Sequence, residues 1–177
     1  MIEAEVVASV YTHFILMGVA GSGKTLIGER LAARLGFDFI DGDDLHSPSN
    51  IAKMARGEPL TDDDRAPWLK EVGLALRHHE KPLIIGCSAL KRRYRDQIRA
   101  AAGRPLAILY LEGDRALIAD RMAKRQRHFM PVTLIDSQFA ALEPPGQDEA
   151  AIRVSIDNEP ETIVRELANA IDAANTA

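Results

Sequence analysis

Residues 18–25 read Gly-Val-Ala-Gly-Ser-Gly-Lys-Thr, and no other stretch constrains the chain as tightly. Gly, four residues, then Gly-Lys-Ser/Thr is the spacing of a phosphate-binding loop. The chemistry asks for these residue types in this order. Glycines let the backbone turn sharply and bring its N–H groups close to an anion. Lys24 reaches the β- and γ-phosphates as a point charge, and the Thr25 hydroxyl is a ligand for Mg²⁺. Gly18, Ala20, Gly21, Ser22, Gly23, Lys24 and Thr25 are therefore the candidate nucleotide-binding residues. The required setting is also present. His13 to Met17 form a short apolar run that reads as a buried strand. Ile27, Leu31 and Leu35 then recur at helical spacing, and Gly36 follows as a C-cap. Such a helix aims the positive end of its dipole at the same anion.

The alternation continues. Apolar, strand-like runs at 14–17, 37–40, 82–85, 106–111 and 152–156 are separated by helical patterns at 25–35, 67–79, 91–102, 115–125 and 160–173. This order predicts an α/β fold: a five-stranded parallel sheet with helices on both faces. In such folds ligands sit beyond the carboxyl ends of the strands. The 177 residues suit one domain, with 1–12 as a leader, 13–177 as the domain and a mobile lid at about 124–142. A formal net charge of −4 gives no general pull toward nucleic acid. No apolar run has the length of a membrane span, and Met1 to Thr12 lack the pattern of a signal peptide. The single Cys87 excludes an internal disulfide and fits a reducing compartment.

Residues after each strand carry the next clues. Asp41, Asp43 and Asp44 follow the second strand, with His46 beyond them. Carboxylates this close repel one another unless a cation or polar substrate sits among them; a solvated acidic turn is the plainer alternative. Asp62 to Asp64 stand before a helix, where acids complement the dipole and can be simple caps. Cys87 reads as a small buried residue rather than a nucleophile. After the fourth strand, Arg121 and Arg125 lie one helical turn apart, with Lys124, Arg127 and His128 nearby. A basic helix here suits a lid that brings guanidinium groups to a transferring phosphoryl.

Several blocks are more specific than the loop. They are Asp41-Gly42-Asp43 with Leu45-His46, Asn50-Ile51-x-Lys53-Met54, and Gly57-Glu58-Pro59-Leu60-x-Asp62-Asp63-Asp64-Arg65-x-Pro67-Trp68-Leu69. Cys87-Ser88-Ala89-Leu90-Lys91-x-x-Tyr94-Arg95-Asp96, Tyr110-Leu111-x-Gly113-Asp114, His128-Phe129-Met130 and Ser137-Gln138-Phe139 follow. With these motifs, from about Phe14 to Asp157, the chain resembles the gluconate kinases (gluconokinases) of the shikimate-kinase-like branch of phosphate-loop small-molecule kinases. The resemblance implies ATP and Mg²⁺ as cofactors, gluconate as substrate, a cytoplasmic enzyme and a homodimer. It implies that Thr25 and Asp41 serve the metal and Asp43 the acceptor hydroxyl as base. It places His46, Lys53, Arg65, Lys91, Arg95 and His128 around the sugar acid, Arg121 and Arg125 in the lid, and Pro160 beside the adenine. Two positions depart from the family's habit: Gln126-Arg127 stands before His128 where Lys-Gly is frequent, and Asp44 where an apolar or aromatic residue is frequent.

Other readings of the loop are a kinase for shikimate, a nucleotide or another polyol, and a nucleotide-dependent switch. The Asp43-x-x-His46 and Asp62–Trp68 blocks argue against the first. The Asp-x-x-Gly and Asn-Lys-x-Asp pairs common in guanine switches do not occur in the chain.

Overall fold

The run before the glycine loop is buried at every position because it lies at the centre of the sheet. A computed structural model describes residues 11–124 and 132–176. The strands are β1 (His13–Met17), β2 (Asp38–Asp41), β3 (Leu83–Gly86), β4 (Ala107–Glu112) and β5 (Ala151–Ser155). They form one five-stranded sheet in the order β2-β3-β1-β4-β5, with every pairing parallel. The helices are α1 (Lys24–Leu35), α2 (Pro48–Ala55), α3 (Asp62–His78), α4 (Arg92–Ala102), α5 (Arg115–Lys124), α6 (Val132–Ala141) and α7 (Pro160–Thr176). A short 3-10 turn, Gly42–Leu45, follows β2.

Period-two alternation in each strand feeds two cores. Phe14, Leu16 and Leu109 pack on one face with Ile27 and Leu31 of α1, Ile163, Leu167 and Ile171 of α7, and Ile118 of α5. Ile15, Met17 and Ile108 pack on the other with Leu69, Val72 and Leu76 of α3 and Ile98 of α4. Each such fully buried side chain stabilises the fold by about 1.5–3 kcal/mol before entropy is subtracted. The α/β sandwich read from the alternation is thus the architecture.

Local boundaries differ from the sequence reading in instructive ways. Helix α3 starts at Asp62 rather than Pro67. Thr61 Oγ1 accepts from the Asp64 N–H at 3.1 Å, and Asp64 Oδ2 accepts from the Thr61 N–H at 2.7 Å, a reciprocal capping box. That box, with burial of Trp68 and Leu69, outweighs the backbone hydrogen bond Pro67 forfeits. Asp64 is therefore a cap, as the plainer reading of these acids allowed. Residues 132–141, assigned no helix from sequence, form α6, whose Ile135 reaches the α1–α7 core. Tyr11 and Thr12, the end of the expected leader, are tied to the body. The Tyr11 N–H donates to Asn175 Oδ1 at 2.8 Å, Asn175 Nδ2 donates back to the Tyr11 carbonyl at 3.0 Å, and the Leu83 N–H donates to the Thr12 carbonyl at 2.9 Å.

Helices α3 and α4 approach closely at Gly73. A Cβ there would stand 2.5 Å from Ala101 Cβ and 2.6 Å from the Ile98 carbonyl oxygen. The second neighbour is backbone and cannot swing away. Gly73→Ala gains about 1 kcal/mol of helix propensity but overpacks the interface at a cost of about 1–3 kcal/mol, or more where backbone must move. We expect net destabilisation, read as a lower urea midpoint at unchanged slope. A midpoint equal to or above wild type would contradict the packing described.

Candidate functional site

The carboxyl ends of β1, β2 and β3 bring the loop and the acidic turn together. Gly21 and Gly23 take the left-handed conformation, with φ of 82° and 95°, which a side chain would resist. At Gly18 the constraint is space: a Cβ would lie 2.6 Å from Ser22 Oγ and 3.2 Å from the Leu111 carbonyl oxygen. Lys24 Nζ donates to the carbonyls of Gly18 and Val19 at 2.9 and 3.1 Å. Burial of the ammonium under the loop lowers its pKa, while Asp43 and Asp41 pull the other way. Among the described residues, Ser22 Oγ is a buried side-chain oxygen with no hydrogen-bond partner. An orphaned donor inside a glycine cradle suits a phosphate, so the residues present fit the nucleotide that the motif implies.

The turn after β2 is fixed from three sides. Asp41 Oδ2 accepts from Thr25 Oγ1 at 3.1 Å, and Oδ1 accepts from the Asp43 N–H at 3.0 Å. Gly42 lies against β3, where a Cβ would stand 2.5 Å from the Gly86 carbonyl oxygen. Trp68 Nε1 donates to the Gly42 carbonyl at 2.7 Å. The same indole stacks on the His46 ring, 4.1 Å between centroids and 17° from parallel. Asn50 Nδ2 approaches His46 Nδ1 at 3.4 Å. Burial lowers the His46 pKa, more than the neighbouring Asp43 raises it. Asp43 keeps solvent access, yet the protein packed around its carboxyl, and then the charge of Asp41, raise its pKa. Asp44 is exposed.

Thr25 and Asp41 together offer a hydroxyl and a carboxylate oxygen. No cluster of three or more His, Cys, Asp or Glu side chains forms a metal cage among the described residues. A two-oxygen set suits Mg²⁺, which keeps waters and takes phosphate oxygens as further ligands.

The basic residues divide. Arg65 and Lys91 converge on Tyr94, their charged groups 5.7 and 5.5 Å from its ring centroid. Arg93 joins them at 5.6 Å, and Asp62 accepts from the Tyr94 hydroxyl and pairs with Arg93. Lys91 Nζ lies 3.6 Å from Asp62. Lys53 stands apart, paired with Asp64 at 2.6 Å. That bond and the Thr61 N–H hold the Asp64 carboxyl at about 2. Arg121 donates to the Ile156 carbonyl at the end of β5, close in sequence to Pro160, which opens α7. Arg125 and His128 lie outside the described residues.

Arg95 requires a correction. The family resemblance placed it around the sugar acid, but it is 1% exposed and its guanidinium is committed to protein. Nε and Nη2 donate to Glu149 at 2.7 and 2.8 Å, and Nη1 donates to the carbonyls of Ala89 and Leu90 at 2.9 and 3.2 Å. Cys87 is buried and its thiol is pushed up to about 12 by that burial, as expected of an inert residue. Sequence reasoning quoted Trp68, Tyr94 and Gln138 in motifs without giving them roles. Gln138 Oε1 accepts from the Ala20 N–H at 3.1 Å, so α6 touches the phosphate loop. Glu149 carried no signal, since its partner lies 54 positions away.

Comparison with known proteins agrees with this geometry. A family model described as an AAA domain matches residues 14–145. A gluconokinase of Gluconobacter oxydans (strain 621H) is 46% identical over 156 residues, covering 86% of this chain and 87% of the relative. The thermosensitive gluconokinase of Escherichia coli (strain K12) is 46% identical over 162 residues, covering 89% of this chain and 86% of the relative. The crystal structure of a gluconokinase from Sinorhizobium meliloti 1021 superposes with a TM-score of 0.86 at 42% identity, covering 93% of both chains. The chain belongs to the gluconokinase family.

Proposed function

We propose that the chain transfers the γ-phosphoryl group of ATP to the 6-hydroxyl of D-gluconate, giving 6-phospho-D-gluconate and ADP. The observation that carries this reading is one strand edge holding an anion cradle, a carboxyl of raised pKa and a cationic cluster around Tyr94. Gly18 to Thr25 would hold the donor's phosphates, with Ser22 Oγ and Lys24 Nζ exchanging their present surroundings for phosphate oxygens. Thr25 and Asp41 would hold Mg²⁺, which neutralises developing charge on the phosphates when bound. Asp43 accepts the hydroxyl proton as the new O–P bond forms and the bond to ADP breaks. Arg65 and Lys91 face the carboxylate, with Lys53 and His46 at the rim. Arg121, near Pro160, serves the nucleotide side, and the segment 124–142 acts as its lid. Arg125 and His128 stay in this reading on the family resemblance alone, as do the homodimer and the cytoplasmic setting.

A coupled ADP-release assay tests the reading over gluconate, other aldonates, shikimate, sorbitol and nucleoside monophosphates. ADP release should rise with gluconate and fall far below it with uncharged sorbitol, because charge-assisted hydrogen bonds to a carboxylate are about twice as strong as neutral ones. Turnover that prefers shikimate or a nucleotide would replace the acceptor; equal kcat/KM for gluconate and sorbitol would remove the carboxylate from the mechanism.

Lys24→Ala should abolish measurable turnover while the fold stays intact by circular dichroism, since a charge contact made to the transferring group is lost. Near-normal kcat in that variant would sink the assignment.

Asp43→Asn keeps the side chain's shape but cannot take a proton. We expect kcat to fall by about 10²-fold or more with ATP affinity unchanged. Crowding and Asp41 raise the Asp43 pKa, so its deprotonated form is lost on acidification sooner than for an ordinary aspartate. The acid limb of wild-type kcat/KM should accordingly sit above the usual aspartate range and vanish in the variant. A loss below about tenfold would leave Asp43 as an ordering group in an acidic turn.

A further inference from the structure

Among the described residues, the most deeply buried ion pair does not face the phosphate loop. Arg95 and Glu149 are 1% and 3% exposed and meet fork to fork. Glu149 also accepts from the Gly146 N–H at 3.0 Å and from Arg99 Nη1 at 3.1 Å. The Arg95 bonds outweigh burial and hold its carboxyl at about 2. A buried pair of this kind is weak evidence for stability, because an apolar replacement often serves as well. What the pair holds in place is therefore the informative question.

On one side it holds the turn leaving β3. The third arm of Arg95 donates to the Ala89 and Leu90 carbonyls, directly before Lys91. Ala89 has φ of 43°, left-handed and unfavourable for a residue with a Cβ. On the other side, Ala150 follows Glu149 with φ of 45°. Among the described residues these are the two non-glycine positions with positive φ, and each adjoins one half of the ion pair. Strain of this kind persists only where surrounding contacts over-determine it, and it concentrates at functional sites. The turn is also stitched to the segment after α6, since the Glu143 N–H donates to the Leu90 carbonyl at 2.8 Å.

We propose that Arg95 and Glu149 are a positioning pair for the acceptor. They hold residues 87–91 in the strained form that presents Lys91 to the substrate carboxylate, and they couple this turn to residues 142–150. The proposal rests on the gluconate kinase reading above. Arg95 thus serves substrate binding without touching substrate.

The test uses the full chain, with wild-type gluconate turnover measured first. Its absence would remove the functional reading itself, and the proposal with it. Given an active wild type, Arg95→Lys keeps the charge but cannot hold the fork to Glu149 and the arm to the two carbonyls at once. Gluconate KM should rise about tenfold, with ATP KM within about twofold. Glycine adopts the left-handed form without steric cost, so Ala89→Gly in the Arg95→Lys background should recover most of the lost gluconate affinity. A pair that only props up the core would move both KM values or neither, and Ala89→Gly would restore nothing; any of these results overturns the proposal. Hydrogen exchange on the wild-type protein covers the case in which Arg95→Lys does not fold. Saturating gluconate should slow exchange in 87–91 and in 142–150 together. Protection of the first segment without the second would likewise overturn it.

Discussion

All five strands run the same way, and this constraint governs the rest of the molecule. A parallel sheet needs helical crossovers, so both faces are covered and the strands are apolar. Polar groups then gather mainly at the strand ends. Because every strand ends at the same edge, Gly18, Gly42, Cys87, Gly113 and Ile156 all begin their connections there. The glycine loop sits in the middle because β1 does, flanked by β3 on one side and β4 on the other. The chain does not need to seek out an acidic turn to face its phosphate loop; Asp41, beside Gly86 in register, is delivered there by the sheet.

That edge separates charge without large net charge. The chain totals −4, yet Arg65, Lys91 and Arg93 gather around one phenol. Asp62 moderates their mutual repulsion through Tyr94 and Arg93. Lys53 has its own carboxylate, Asp64, and so contributes less free charge than its place in the sequence suggested. Trp68 links the two chemistries: its indole N–H fixes the turn bearing Asp43, and its face supports His46. A single aromatic on α3 thereby ties the acidic turn to the helix whose first turn bears Arg65.

Much of this was legible in the sequence, for physical reasons that also mark where reading stops. The phosphate loop, the alternation of apolar runs and the two-sided burial are local patterns, and local patterns survive in one dimension. Strand order is not local: nothing in 82–85 says that it inserts between β1 and β2. Helix α3 was read as starting at Pro67 because proline is a strong local signal, whereas the Thr61–Asp64 box that starts it earlier is built from residues that also favour turns. Helix α6 opens with Val132 and Thr133, residues poor in helix propensity, and became visible only through Ile135 reaching the core and Gln138 reaching the Ala20 N–H. Arg95 was misassigned because a cation near a predicted site looks the same whether or not a distant glutamate claims it. The claim by Glu149 exists only once α4 has come to lie beside the segment that leads into β5.

Asp41 and Asp43 show the same limit on a smaller scale. Two carboxyls two positions apart are chemically alike on paper, and their order gives no reason to assign one to a metal and the other to a proton. In the fold they are unlike because their hydrogen bonds differ. Asp41 accepts from the Thr25 hydroxyl and from the Asp43 N–H. Asp43 is crowded by protein and sits beside the charge of Asp41, so its own ionised form is disfavoured and its affinity for a proton rises. The Asp43 N–H bond to Asp41 also helps fix the turn, so one hydrogen bond sets the position of the second carboxyl relative to the first. On the proposed reading, the carboxylate that faces the metal and the one that takes the proton are distinguished by this asymmetry, which the Gly42 contact with β3 keeps in place.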